Sequence, residues 1–194
     1  MPGLSPSFCS DLSGDVMSKR QAIVFIDGNN LYHNLKYFLV KPSQIDLSKL
    51  SGSLCEYFEC ELKAVRYYNS IPSINDGKET YERHMHFLDR VSQLPKFTVH
   101  TRKLQPKTRK EKGIDVMIAV DMLNLCVLRN ECDCCILVSG DTDFIHSAEI
   151  IKSYGKEVFS AFIPYGYSTE LRSKLRFFVM KEDFLKSSCL RQSD

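Results

Sequence analysis

Residues 21–27, QAIVFID, running directly into Gly28-Asn29-Asn30, decide the architecture of this chain. The run is apolar without alternation, as in a strand covered on both faces. It closes on a carboxylate, Asp27, and the Gly-Asn-Asn turn leads into a helical pattern over roughly 30–39.

The same succession recurs outward from this unit. A helix is predicted over 46–58 with Asp46 as N-cap, and a strand over 61–69. A helix over 78–93 ends near Pro95, and 97–104 alternates like a half-exposed strand. After a polar loop at 105–112, residues 113–128 (GIDVMIAVDMLNLCVL) are apolar almost all round, which predicts a buried helix. A strand at 134–139, a helix at 142–154 stopped by Gly155, and a strand at 156–163 follow. A short helix near 168–174 and a short strand near 176–180 complete the pattern. Strands alternating with helices at this spacing predict an α/β fold with a parallel sheet covered on both faces.

The chain has 194 residues, enough for one ordinary domain and too few for two α/β domains. Hydrophobic residues make up 43% and charged residues 26%, which excludes a wholly disordered or fibrous chain. No apolar run approaches the ~18–20 residues of a membrane span. The net charge of +2 names no partner, so any nucleic-acid preference must come from a local patch. Residues 1–18, rich in Ser, Pro, Gly and Asp, read as a disordered leader, with Met17 an alternative start. The domain is placed at 19–185, and 186–194 reads as a polar tail. The leader lacks a basic segment followed by an apolar one, so no secretory signal is read and a cytoplasmic location is expected.

In that setting the eight cysteines are expected as thiols rather than disulfides. Cys132-Asp133-Cys134-Cys135 contains a C-x-x-C, but no second close Cys/His pair accompanies it. Cys126 and Cys189 stand apart in sequence, and the expectation is of thiols at the start of a buried strand.

The informative feature is where the acids fall. Asp27 closes its strand, Asp141 and Asp143 follow the strand ILVS in SGDTDF, and Asp115 opens the apolar helix. Ligands of open parallel sheets bind beyond the carboxyl ends of the strands, where connections diverge. Two unit charges ~5 Å apart repel by roughly 3 kcal/mol at an effective dielectric near 20. Gathered acids therefore need protons or cations, and carboxylates with water are what Mg²⁺ and Mn²⁺ prefer. The plainer reading stays open residue by residue. Asp141 and Asp143 could serve as an N-cap and a first-turn acid, Asp27 could make an Asx turn, and Asp115 could be a first-turn helix acid. Asp121 lies about 120° round the helix from Asp115 and is expected to be a buried, hydrogen-bonded acid. His146, three residues after Asp143, is expected to be packed or partly exposed.

Residues 102–112 hold six basic side chains against one acid and run directly toward Asp115. Such a loop beside an acidic metal site could gather phosphates.

IVFIDGNNLYHNLK, KGIDVMIAVDML and ILVSGDTDFIHSAEIIKSYGKEV together resemble the NYN domain family (LabA-like), within the PIN-like nuclease superfamily. The likeness spans about residues 21–180. It implies a three-layer α/β/α fold with a central, mainly parallel sheet, and a divalent-metal nuclease site acting on RNA. Carried over by position, Asp27, Asp115, Asp141 and Asp143 match the family's acids and would hold Mg²⁺ or Mn²⁺. Asn30 matches an Asn that orders the first acid or a metal water. Lys112 matches the Lys of the K-G-x-D motif, and Thr142 fills a position that is often Gly or Ser. Ser139 is expected to bond Asp27 or a metal-bound water. Lys107, Arg109, Lys110, Ser139 and Thr142 join Lys112 as expected substrate contacts.

The expected function is a metal-dependent ribonuclease with RNA as partner and no membrane. The alternative is a non-catalytic RNA- or protein-binding regulatory module on the same fold. A phosphatase of the aspartyl-phosphate kind is disfavoured because D-G-N-N replaces D-x-D. A dinucleotide oxidoreductase lacks its G-x-G-x-x-G. Homo-oligomerisation is left open, with helix 78–93 and the strand at 97–104 as candidate surfaces.

Overall fold

The computed structural model describes residues 19–38, 42–103, 113–165 and 168–190. Six strands form one sheet: β1 (Arg20–Asp27), β2 (Cys60–Ile71), β3 (Phe97–Lys103), β4 (Cys134–Val138), β5 (Glu157–Phe162) and β6 (Arg176–Val179). Their order is β3-β2-β1-β4-β5-β6, and every neighbouring pair is parallel. The α-helices are α1 (Gly28–Leu35), α2 (Leu47–Tyr57), α3 (Lys78–Ser92), α4 (Ile114–Leu123), α5 (Ile145–Ser153), α6 (Thr169–Lys174) and α7 (Glu182–Ser188).

The unbroken apolar run of β1 has the cause inferred from its sequence. Residues Ala22 to Ile26 are all fully buried, because each face of the strand meets helices. Ala22, Val24 and Ile26 share a core with Leu31 and Leu35 of α1, Leu50 and Leu54 of α2, Leu88 of α3 and Leu185 of α7. Ile23 and Phe25 face the opposite core, built by Ile114, Ile118 and Met122 of α4, Ala148 and Ile151 of α5, and Leu171 of α6. The fold is therefore a three-layer α/β/α sandwich, as expected. Burying each such side chain contributes roughly 1.5–3 kcal/mol, so two-sided coverage makes β1 the structural axis. By period-2 alternation Asp27 follows Ile23 and Phe25 onto the α4 face.

The chain leaves β1 toward β2 and enters β4 on the other side. The loops after β1 and β4 thus diverge, and a crevice opens between their carboxyl ends.

Three expectations need correction. The apolar stretch 113–128 is not one buried helix. It is α4 followed by a π-helical turn over Asn124–Leu128. As an outer-layer helix it leaves Val116 and Val120 more than half exposed. The end of the chain is not simply a polar tail from 186. Helix α7 packs on α2, Leu185 and Cys189 are fully buried, and Leu190 forms an antiparallel bridge with Ile45. The helix read over 142–154 begins as a 3-10 turn, Thr142–Phe144, before α5. The expected leader, 1–18, lies outside the described residues. No helix among the described residues is long and apolar enough to cross a membrane.

Candidate functional site

Asp27 is only 4% exposed, so its carboxylate must be held by fixed partners. One oxygen, Oδ1, accepts the Asn30 backbone N–H at 3.0 Å and caps α1. The other, Oδ2, accepts the Ser139 hydroxyl at 3.4 Å. Ser139 follows β4 one register step beyond the Ile26–Val138 pair, so parallel pairing alone brings it level with Asp27. The Ser139 Oγ in turn accepts the backbone N–H of Asp141 at 3.3 Å. One hydroxyl thus links the two strand-end acids. Asp141 caps the 3-10 turn by accepting the N–H of Asp143 at 3.1 Å. Thr142 opens that turn, half-buried, and Asp143 points outward and is exposed.

Asp115 sits in the first turn of α4, which is entered through Gly113 in a left-handed conformation (φ +86°) that disfavours any residue with a Cβ. α4 packs on β1, α5 and the turn at 142–144. The Asp115 carboxyl is held above its ordinary pKa, first by burial and then by the charges of Asp141 and Asp143; a backbone hydrogen bond opposes this. Asp115 therefore lies within electrostatic reach of Asp141 and Asp143, and Asp141 is tied to Asp27 through Ser139. The plainer roles also hold: Asp27 and Asp141 are N-caps and Asp115 is a first-turn acid. Capping uses one oxygen of each cap and does not exclude a cation.

Among the described residues no three of these carboxylates bring oxygens within 4.8 Å of one another. The arrangement is an open set of acids rather than a closed cage. That suits Mg²⁺, which keeps several waters and binds through one or two carboxylates plus substrate phosphate. The donors are all oxygen, and the repulsion felt by Asp115 is what a cation would relieve. The residues present thus fit a hard divalent ion.

Asn30 orders Asp27 through its backbone, not its amide. Its side-chain Oδ1 accepts Asn34 Nδ2 at 2.9 Å and the Gly140 N–H at 3.4 Å, tying α1 to the loop after β4. Asn29 does the matching job on the other side: its Nδ2 donates to Ser70 Oγ at 2.9 Å and its Oδ1 accepts the Ser70 N–H at 3.2 Å. The sequence places Asn29 in the turn and assigns it nothing further. Two adjacent amides reaching to either side of a strand end were the available signal. Gly28 is required by proximity. A Cβ there would meet Tyr67 Oη at 2.4 Å and Asn69 Nδ2 at 2.7 Å.

A second polar group lies across the sheet, on β2, β3 and α4. Asp27 is paired with Tyr68, and Tyr68 with His100. The Tyr68 hydroxyl donates to Asp121 Oδ2 at 2.8 Å, and the His100 ring stacks on Tyr68 with centroids 4.8 Å apart. His100 Nδ1 lies 4.0 Å from Asp121 Oδ2. Burial pushes the His100 pKa down, Asp121 opposes this, and Arg66 lowers it further. Asp121 is therefore a half-buried, hydrogen-bonded acid outside the four-acid crevice. His146 is exposed on α5. The expected substrate residues Lys107, Arg109, Lys110 and Lys112 lie outside the described residues.

The family model that matches this chain is the NYN domain, over residues 21–181. No curated protein matches the sequence. A solved structure with the same fold is a protein of unknown function from Vibrio parahaemolyticus. It is 25% identical, with a TM-score of 0.65, and the match covers 87% of this chain and 98% of that one. With strand order, acid crevice and family match agreeing over the same residues, the chain belongs to the NYN domain family, within the PIN-like nuclease superfamily.

Proposed function

We propose that this protein is a divalent-metal-dependent ribonuclease. The reading is supported by the link from Asp27 through Ser139 to Asp141 at the β1 and β4 ends, and by Asp115, whose pKa is raised first by burial and then by the charges of Asp141 and Asp143. These four carboxylates would hold Mg²⁺ or Mn²⁺. Bound there, such an ion would lower the pKa of water and offset charge on a phosphodiester during in-line displacement.

The chain's own residues do the rest. Ser139 and the Asn30 N–H fix the Asp27 carboxylate so that neither oxygen swings away. Asn29 and Asn30 hold the loop after β1 against β2 and β4, which keeps the crevice width set. Lys107, Arg109, Lys110 and Lys112, entering α4 just before Asp115, would draw the RNA backbone in by charge. Among the described residues no Ser-His-Asp or Cys-His grouping supports a covalent nucleophile. Cleavage would leave a 5′-phosphate and a 3′-hydroxyl, by analogy with the superfamily.

Asp141→Asn is the test. Asn caps a helix as well as Asp does, so the turn survives while a formal charge is lost. Labelled single-stranded and structured RNA, with DNA as comparison, is incubated with Mg²⁺, Mn²⁺ or EDTA. The expected result is metal-dependent cleavage by the native chain and none by the variant. RNA binding that survives EDTA with no products from the native chain would establish the non-catalytic module instead.

A further inference from the structure

Of the seven cysteines among the described residues, all free, three draw together. Cys126, Cys132 and Cys135 place their Sγ atoms within 4.8 Å of one another. This corrects the sequence expectation in which Cys126 stood apart. The three are buried, at 0%, 3% and 0% exposure, so their grouping is set by the interior and not by a loose surface. They come from two converging pieces of chain. Cys126 lies in the π-helical turn Asn124–Leu128, closed by the Arg129 N–H on Asn124 O at 2.8 Å. Cys132 and Cys135 lie at the entry to β4.

The loop between them is fixed at several points. Asn130 is left-handed (φ +48°), and the Glu131 N–H donates to Leu125 O at 2.8 Å. Asp133 exchanges two bonds with Gln21, N–H to O at 2.8 Å and Oδ2 from N–H at 2.8 Å. A π-turn is uncommon and frequently marks a functional position. Here it sets a thiol facing two others.

We propose that Cys126, Cys132 and Cys135 form a zinc-binding site at the pole of the molecule opposite the acid crevice. Zinc–thiolate bonds are about 2.3 Å, so tetrahedral sulfurs sit about 3.8 Å apart, a spacing the trio reaches with small side-chain movements. Thiolates suit soft or borderline cations, whereas the oxygen donors at the other pole suit Mg²⁺. On binding, three S–H bonds break, three S–Zn bonds form and three protons pass to solvent. The product carries one net negative charge. Lys156 is placed to oppose it: its Nζ donates to the Cys132 carbonyl at 2.9 Å. No fourth Cys, His, Asp or Glu of the described residues joins within the same spacing. Water entering beside Cys132, the least buried of the three, takes the fourth position. The neighbouring Cys60–Cys134 contact, Sγ to Sγ at 3.3 Å, lies on the other face of the sheet and supplies only two sulfurs.

The inference does not rest on the nuclease reading, and its test is separate from RNA cleavage. The full chain, purified without chelators, is analysed for metal. It is then unfolded, reduced, stripped and refolded with Co²⁺ as spectroscopic probe. The expected results are about one zinc per chain, and sulfur-to-cobalt charge-transfer absorption saturating at about one equivalent. Cobalt held by the aspartates gives no such band, so the two poles are distinguished. Cys126→Ser should lose the band, and Cys134→Ser should keep it. The native chain decides the matter even where a variant fails to fold. Refolded native chain with no zinc uptake and no charge-transfer band would overturn the proposal. So would a disulfide among the three cysteines in the chain as purified, found by alkylation and mass analysis.

Discussion

The two ends of β4 make opposite kinds of site from one short strand. At its carboxyl end, Ser139, Asp141 and Asp143 present oxygen atoms that grade from buried Ser139 to exposed Asp143. At its amino end, Cys132 and Cys135 turn sulfur into the buried interior against Cys126. The oxygen end is polar because two loops diverge there and leave backbone N–H groups for caps to satisfy. The sulfur end is closed because a helix terminus folds down on the strand. The proposed chemistry follows the same division: the oxygen end would take a charged polymer, and the buried sulfur end an ion with one water.

The strongest way to break this contrast is to remove charge at the oxygen end alone. Asp27→Asn keeps the α1 cap but should lower Mg²⁺-dependent RNA cleavage by more than about 100-fold, beyond what a merely supporting residue gives. Thermal melting should stay close to that of the native chain. A comparable loss of folding would show that Asp27 matters for capping rather than for charge.

Next in size is Gly28→Ala. The added Cβ meets the buried Tyr67 ring, with Cζ at 2.5 Å and Oη at 2.4 Å. Overpacking of this kind costs about 1–3 kcal/mol. Because Gly28 adjoins Asp27, the cleavage rate should fall with stability, as paired urea melts and RNA assays would reveal. Unchanged melting would mean that Tyr67 yields more readily than its burial suggests.

Tyr68→Phe sharpens the boundary of the oxygen site. It deletes the 2.8 Å bond to Asp121 and leaves that acid short of one donor. A loss of about 1–2 kcal/mol is expected in denaturant melts, with cleavage affected less than by Asp27→Asn. A rate loss equal to that of Asp27→Asn would move Asp121 and His100 into the working site.

The smallest effect concerns pH in the absence of divalent ions. The folded-state pKa of Asp115 is raised, so the folded chain holds that proton more tightly than the unfolded chain does. Ionised Asp115 therefore destabilises the fold. The penalty is full above the folded pKa and is relieved as pH falls through that value toward the unfolded one. Asp115→Asn should melt higher than the native chain near neutral pH, and the difference should vanish in acid. With solvent screening of this partly exposed group the gain is below about 1 kcal/mol, or at most roughly 2–4 °C. Added Mg²⁺ should shrink the difference by stabilising only the native chain.

How much of this was legible in the sequence differs between the same two ends. Residues 21–27 and 134–139 were readable as buried strands because two-sided burial removes alternation, and acids at their ends stand out against apolar runs. Asp115 was readable because a charge at the mouth of an apolar helix is conspicuous. Cys126 was not. Its partners are set by a π-turn and a left-handed Asn130, which leave no periodic trace. The row Asp27–Tyr68–His100 was hidden for a related reason, since register between distant strands is fixed by packing and not by local pattern. Asn30 is legible as an Asn that orders the first acid, and the group that grips Asp27 is its backbone N–H. Helix α7 was missed because its anchors, Leu185 and Cys189, are too few to outweigh a polar sequence.

Asp115 and Cys126 ride on one uninterrupted helical run, α4 and the turn that continues it. Eleven residues of rise separate them, about 17 Å. Such a run behaves as a strut. A tilt of about 5° pivoting at one tip swings the other by about 1.5 Å, and a displacement of that order is enough to spoil alignment for catalysis. Chemistry that tightens or slackens the sulfur tip would therefore be felt at the carboxylate tip as a change of aim.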